Sequence, residues 1–242
     1  MIGVVIPAHN EEACIAACLA SVQIAAHCEA LGGEDVVIVV ALDRCSDRTA
    51  AIVAACGVRN VVVHDGNVGL ARAAGAAFVI GLGARWVACT DADSRVPRDW
   101  LACQIACAAD AFCGIVTVDD WLDYDDTVRT QFGTVEEQHD GHPHVHGANM
   151  GFSVAMYLRC GGFPPLSAHE DVAMVDALHR AGARIARRAS PVVITSARRV
   201  ARAHGGFADY LLALEARTRA IVSPLLETAV PDFDVDSGPH AA

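Results

Sequence analysis

The chain has 242 residues, enough for one α/β domain with a full buried core. Its net charge of −11 sets it against nucleic-acid backbones and anionic lipid surfaces as partners. Hydrophobic residues make up 53%, yet no run approaches the roughly 20 apolar residues that span a bilayer, which excludes an integral membrane segment.

Residues 2–6 predict a buried strand closed by Pro7. Asn10 reads as the N-cap of a helix running to about residue 30, with Glu11 and Glu12 complementing the dipole in its first turn. Strands follow at 36–42, 60–64 and 85–90, with helices at 48–56 and 67–82. Four strand–helix alternations within the first 110 residues predict βαβ units and a mostly parallel sheet. In such sheets the ligand sits beyond the C-terminal ends of the strands. His9-Asn10-Glu11, Asp43 and Asp91-Ala92-Asp93 should therefore line one crevice.

The second half is less regular. A strand is expected at 113–118, helices at 155–160 and 170–181, a short strand at 191–195 and an amphipathic helix at 206–222. Residues 119–146 are acidic, aromatic and histidine-rich and carry no assignable period. Gly161-Gly162 breaks the chain between two helices, and the Pro/Asp/Gly-rich stretch 231–242 is expected to be a mobile tail. We read residues 1–230 as a single domain, with a nucleotide-binding half (1–112) and an acceptor and catalytic half (113–205). Helix 206–222 offers a face on which a second copy could dock, leaving a homodimer open.

The ten cysteines include no CxxC pair. They are expected to be free, core-filling thiols in a reducing compartment, since the tight spacing of a zinc site is missing. No basic, apolar leader precedes the first strand, so the expected location is cytoplasmic.

Three segments carry chemistry. Asp91 and Asp93, i and i+2 at a strand end, can splay around one hard cation such as Mg2+ or Mn2+; a capped turn is the ordinary alternative. Glu170-Asp171 opens a helix, where a carboxylate is often only a cap but can also serve as a base. Gly147-Ala148-Asn149 joins small residues, which let backbone approach a ligand, to an amide that both donates and accepts.

Together these pieces resemble the family 2 glycosyltransferases of the GT-A fold. The resemblance rests on Ile6 to Glu12, Asp43 to Thr49, Asn67-Val68-Gly69, Asp91-Ala92-Asp93, and the stretch from Gly147 through Gly162-Phe163 to Glu170-Asp171. It implies a helix-flanked, mostly parallel sheet and an enzyme that moves one sugar from a UDP-, GDP- or dTDP-sugar to an unidentified acceptor. It implies that Pro7, Ala8 and Glu11 border the base and ribose and that Asp43 meets the base edge. Arg72 is expected near the diphosphate. Asp91 and Ala92 would touch the donor, and Asp93, with Asp91, would hold Mn2+ or Mg2+. Gly147 and Asn149 would meet the acceptor. Asp171 would be the base of an inverting displacement, with Glu170 positioning the acceptor. His204 resembles a metal ligand that follows this region in some relatives, and Arg198, Arg199 and Arg202 could fork onto the diphosphate or form a solvated basic face.

Leu42 and Arg44-Cys45 depart from the paired acids and small polar residues usual around Asp43. No Gln-x-x-Arg-Trp signature is present, which implies a single transfer rather than polymerisation.

Two other readings compete. A sugar nucleotidyltransferase would need a glycine-rich basic loop after the first strand, and Pro7-Ala8-His9-Asn10-Glu11-Glu12 is acidic and lacks glycine. A non-catalytic nucleotide-binding member would bind nucleotide yet turn over no donor. The histidines at 139, 142, 144 and 146 alternate so that the last two share a face, but a loop containing Gly and Pro suggests a solvated or acceptor-facing role rather than a metal site.

Overall fold

A computed structural model describes residues 1–136, 138–200 and 205–227. Seven strands form one sheet: β1 (Ile2–Ala8), β2 (Val36–Asp43), β3 (Arg59–Val63), β4 (Trp86–Cys89), β5 (Ala111–Thr117), β6 (Met150–Ser153) and β7 (Ile185–Ile194), in the order β3-β2-β1-β4-β6-β5-β7. The helices are α1 (Ile15–Ala26), α2 (Thr49–Ala55), α3 (Val68–Gly81), α4 (Trp100–Ala106), α5 (Asp126–Val135), α6 (Val154–Cys160), α7 (Glu170–Arg180) and α8 (Phe207–Glu227). Among the described residues, no helix is long and apolar enough to cross a membrane.

Alternate strand residues feed two helix layers. Val4, Ile6 and Val40 pack with Ile15, Leu19, Trp100 and Leu101 on one face. Val5, Val39 and Val87 pack with Ala76, Val79, Met174 and Leu178 on the other. This is why β1 reads as a continuous apolar run: both of its faces are covered.

The topology creates one functional edge. β2, β1 and β4 run parallel, so Asp43 and the turns after Ala8 and Cys89 emerge together. β6 runs antiparallel to β4, pairing Met150 with Cys89, and this brings the 3-10 turn Gly147–Asn149 to the same edge from the opposite direction. β5 is antiparallel to β6 and parallel to β7, so Thr195 to Arg198 arrive there as well.

Several expectations change. Asn10 is not a helix cap: it takes the left-handed conformation at φ 54, and α1 begins only at Ile15. Its Oδ1 instead accepts from the amides of Ser46 (2.8 Å) and Asp47 (3.3 Å), tying the turn after β1 to the turn after β2. β7 starts six residues earlier than the expected strand at 191, because Arg187, Arg188 and Pro191 are residues an outer strand tolerates. The unassigned stretch contains α5, capped by Asp125, whose side chain accepts from the amides of Thr127 and Val128. Leu211 and Leu214 of α8 pack against Val128 and Phe132 of α5. All ten cysteines are free.

The start of α3 lies close to the turn before α7. Asn67 caps the helix through Leu70 N, and its Nδ2 donates to Pro165 O. A Cβ on Gly69 would strike the carbonyl oxygens of Pro164 and Leu166, so glycine is required for this approach. The contact fixes α3 beside α7 and sets up the charged cluster described next.

Candidate active site

A cleft of about 870 Å3 opens at the functional edge of the sheet. Its walls include Pro7, Ala8, Glu11, Asp43, Arg72, Asp91, Ala92 and Asp93 from the first half of the chain. Gly147, Glu170, Asp171 and Arg198 line it from the second half. Residues separated by more than a hundred positions thus share one cavity because strand direction alternates at β6.

Asp43 shows how the walls are held. Its two oxygens accept from the amides of Gly66 (2.9 Å) and Asn67 (2.7 Å), anchoring the turn into α3. Each oxygen keeps a second lone pair for a ligand. Ala8 and Pro7, at the end of β1, give a small, flat wall beside it.

Asp93 and Glu11 sit on opposite sides of one guanidinium. Arg198 Nη1 donates to both Glu11 oxygens at 2.7 and 2.8 Å, and its Nη2 lies 3.1 Å from Asp93 Oδ2. Burial pushes the Asp93 carboxyl up, Arg198 pulls it down, and Asp91 and Glu11 add to the rise, leaving it above the usual carboxylate range. Even with Arg198 in contact, this corner has an excess of negative charge. An all-oxygen donor set short of positive charge fits a hard divalent cation.

Arg72 is the buried hub of the opposite corner. It projects from α3 with 2% exposure; Nε donates to Glu170 Oε1 at 2.8 Å and Nη2 to Asp91 Oδ1 at 2.5 Å. Burial works against its charge, but Asp91 and Glu170 hold it protonated. Glu170 is likewise buried and its carboxyl is pushed up by that burial, with Arg72 opposing and Asp171 adding to the rise. Gly147 leaves room for this hub, since a Cβ there would meet Arg72 Cζ at 3.0 Å.

Asp171, in the first turn of α7, reaches into the cleft. Its Oδ2 accepts from Gly147 N at 2.7 Å and its Oδ1 from Val172 N at 2.8 Å. The backbone bonds fix where the carboxylate points. Such a group can accept a proton from a hydroxyl held against it.

One expected site residue is corrected. Asn149 does not line the cleft: it is fully buried, and its Nδ2 donates to the carbonyls of Ile115 (2.8 Å) and Pro191 (2.9 Å) while its Oδ1 accepts from Trp100 Nε1 (2.9 Å). It clamps β5, β7 and α4 together behind the cleft. We expect Asn149→Ala to destabilise the fold by roughly 3 kcal/mol or more, read from the urea midpoint at unchanged slope, because three buried groups lose their partners. Arg202 and His204 lie outside the described residues. Arg199 turns away to Glu215 and stacks over Tyr124 at 4.1 Å, which secures α8.

Sequence reasoning missed several cleft residues: Glu136, Thr195, Ser196 and Tyr210. Glu136 follows an amphipathic pattern, Val128, Phe132 and Val135 after a capping Asp125, that marks α5 and could have located it. The histidines divide: His139 is exposed, His142 is fully buried, and His144 and His146 line the cleft.

The family model for glycosyl transferase family 2 matches residues 3–157. No curated protein matches the chain. Among solved structures, the chain is similar to S. aureus TarS in complex with UDP-GlcNAc, with TM-score 0.63 and 15% identity over 90% of this chain. It spans 66% of that TarS chain, slightly under two thirds. It is similar to glucosyl-3-phosphoglycerate synthase from Mycobacterium tuberculosis in complex with Mn2+, UDP and glucosyl-3-phosphoglycerate, with TM-score 0.55 and 19% identity, covering 96% of this chain and 81% of that one. A third similar structure is mannosyltransferase PcManGT from Pyrobaculum calidifontis with GDP-Man and Mn2+, with TM-score 0.56 and 18% identity, covering 95% and 76% respectively.

Proposed function

The chain belongs to glycosyl transferase family 2, and from that premise we propose that it moves one sugar from a nucleoside-diphosphate sugar to an acceptor hydroxyl, with inversion at the anomeric carbon. The observation that carries the reading is the opening of Asp91, Asp93 and Asp171 into one cleft, the first two beyond β4 and the third on α7. The nucleotide half of the donor lies along Pro7, Ala8 and Asp43 in this reading. The diphosphate points toward Asp91 and Asp93, and the sugar toward Asp171. The similar structures solved with UDP-GlcNAc, with UDP and with GDP-Man support the donor class.

Asp171 accepts the proton of the acceptor hydroxyl as that oxygen attacks the anomeric carbon. The bond from that carbon to the diphosphate oxygen breaks on the opposite face, and the nucleoside diphosphate leaves. The logic of a flanking carboxylate is shared with glycoside hydrolysis. Gly147 N holds Asp171 in place, and Glu170, through Arg72, fixes the start of α7. Arg198 supplies positive charge at the leaving-group end. Asp93, with Asp91, would hold Mn2+ or Mg2+, which when bound adds positive charge against the departing diphosphate.

The test is a thermal-shift series with UDP, GDP and dTDP, each with and without Mn2+. At least one nucleotide should raise Tm in a Mn2+-dependent way, and Asp93→Asn should abolish the metal-dependent part. A nucleotide shift that is indifferent both to Mn2+ and to Asp93 would remove the metal from this reading.

A further inference from the structure

A second cluster of ligand atoms lies in the wall of the same cleft, apart from the Asp91/Asp93 pair. Glu136 follows the last turn of α5, and its side chain is 3% exposed. Its Oε2 lies 3.7 Å from His144 Nδ1 and 3.6 Å from His146 Nε2. All three ligand atoms fall within 4.8 Å of one another, and among the described residues no other trio of His, Cys, Asp or Glu atoms does so.

These separations are too long for hydrogen bonds. Glu136 Oε2 and His146 Nε2 are both buried and have no hydrogen-bond partner. Buried polar atoms normally find one, and these two do not. The spacing is close to the roughly 3.3 Å edge of a tetrahedron whose metal–ligand bonds are about 2 Å.

The cluster is also held in shape. The rings of His142, His144 and His146 stack in turn, with centroids 5.7 and 5.9 Å apart and interplanar angles of 22° and 17°. Arg187 Nη1 donates to the carbonyls of His142 (3.3 Å), Pro143 (2.9 Å) and His144 (3.1 Å), strapping the segment to β7. The Tyr210 hydroxyl, on α8, donates to Glu136 Oε1 at 3.4 Å and leaves Oε2 facing the histidines.

We propose that Glu136, His144 and His146 form a binding site for one divalent transition-metal ion of the Zn2+, Co2+ or Ni2+ type. Two imidazoles and a carboxylate suit borderline ions of this kind, whereas Mg2+ and Ca2+ take oxygen alone. Three protein ligands leave at least one coordination position, and the three residues line the cleft, so an oxygen of water or of a bound acceptor completes the sphere. The site is independent of the sugar-transfer reading, because none of its ligands is shared with Asp91, Asp93 or Asp171.

The full chain, reduced and stripped with a chelator, is titrated with Co2+ alone and then with competing Zn2+, without nucleotide. One equivalent of Co2+ should bind and give d–d absorption bands without thiolate-to-metal charge transfer. Zn2+ should displace it. Hyperfine-shifted imidazole N–H proton resonances should appear in the unmodified protein, a readout that needs no variant to fold. His144→Ala/His146→Ala should weaken Co2+ by more than about 100-fold, and Tyr210→Phe by about tenfold, since partners that orient a ligand matter less than the ligand itself. Asp93→Asn should leave the Co2+ titration unchanged, which separates this site from the one proposed for the diphosphate. Charge-transfer bands of cysteine ligation would overturn the proposal. Absence of shifted imidazole resonances would overturn it too, as would equal Co2+ affinity in a folded double-histidine variant.

Discussion

Asp171→Asn should lower turnover by about 10²–10⁴-fold, the range that a positioned general base contributes. The turnover can be followed as release of nucleoside diphosphate from whichever donor the thermal-shift series selects, with water as the acceptor oxygen. The amide keeps the size of the carboxylate, and its oxygen can still accept from Gly147 N, while the bond from the adjacent Val172 N is given up. What is lost is the capacity to take a proton. Mn2+-dependent nucleotide binding should be unaffected, because Asp171 touches neither Asp91 nor Asp93 through any hydrogen bond of the described structure. Glu170→Gln is the informative contrast. Glu170 Oε1 is held by buried Arg72 Nε, so its replacement should register chiefly in Tm. If Asp171→Asn keeps more than about a tenth of the wild-type rate, the base lies elsewhere and the assignment fails.

The first half of the chain was legible because its signals are local. The apolar run at 2–6, a strand at 36–42 closed by Asp43, and Asp91-Ala92-Asp93 after β4 each announce their own structure, and the βαβ rule places their ends on one edge. The reading faltered where a residue serves a distant partner. Asn10 has the composition of a helix cap, and only the nearby turn after β2 shows that its side chain is committed to Ser46 and Asp47. Asn149 looked like a ligand because polar residues near glycines often are. It is in fact the fastening of three elements, a role set by strands 34 and 42 residues away along the chain. β7 was shortened because its arginines hide an outer strand from any pattern based on apolarity. The Glu136–His144–His146 cluster was half visible: the alternation of the histidines correctly put two rings on one face, but Glu136 arrives from α5, an element the composition of 119–146 concealed.

Arg72→Met should destabilise the protein by roughly 3–5 kcal/mol at neutral pH, the usual result of removing one partner from a buried ion pair. The substitution keeps much of the side-chain volume, so the loss reports charge rather than a cavity. Glu170, 5% exposed, then holds an uncompensated carboxylate in the core; Asp91, with a side chain 37% exposed, is screened by water and contributes much less. The sign of the pH dependence follows from linkage. Burial already raises Glu170 despite Arg72, and without the arginine it rises further. A carboxyl whose folded value lies above its unfolded one binds more protons in the native state, so stability falls as pH rises through that interval and recovers on acidification. The deficit of Arg72→Met relative to wild type should therefore shrink as pH drops from neutral toward the unfolded carboxylate value, measured by urea titration at several pH values. Adding Glu170→Gln to Arg72→Met should recover a large part of the neutral-pH loss and flatten its pH dependence, because the stranded charge is gone. A deficit that is small, or that stays constant as the solution is acidified, would mean that Arg72 acts by packing alone. In that case Asp91 and the start of α7 are positioned by something other than the charge between them.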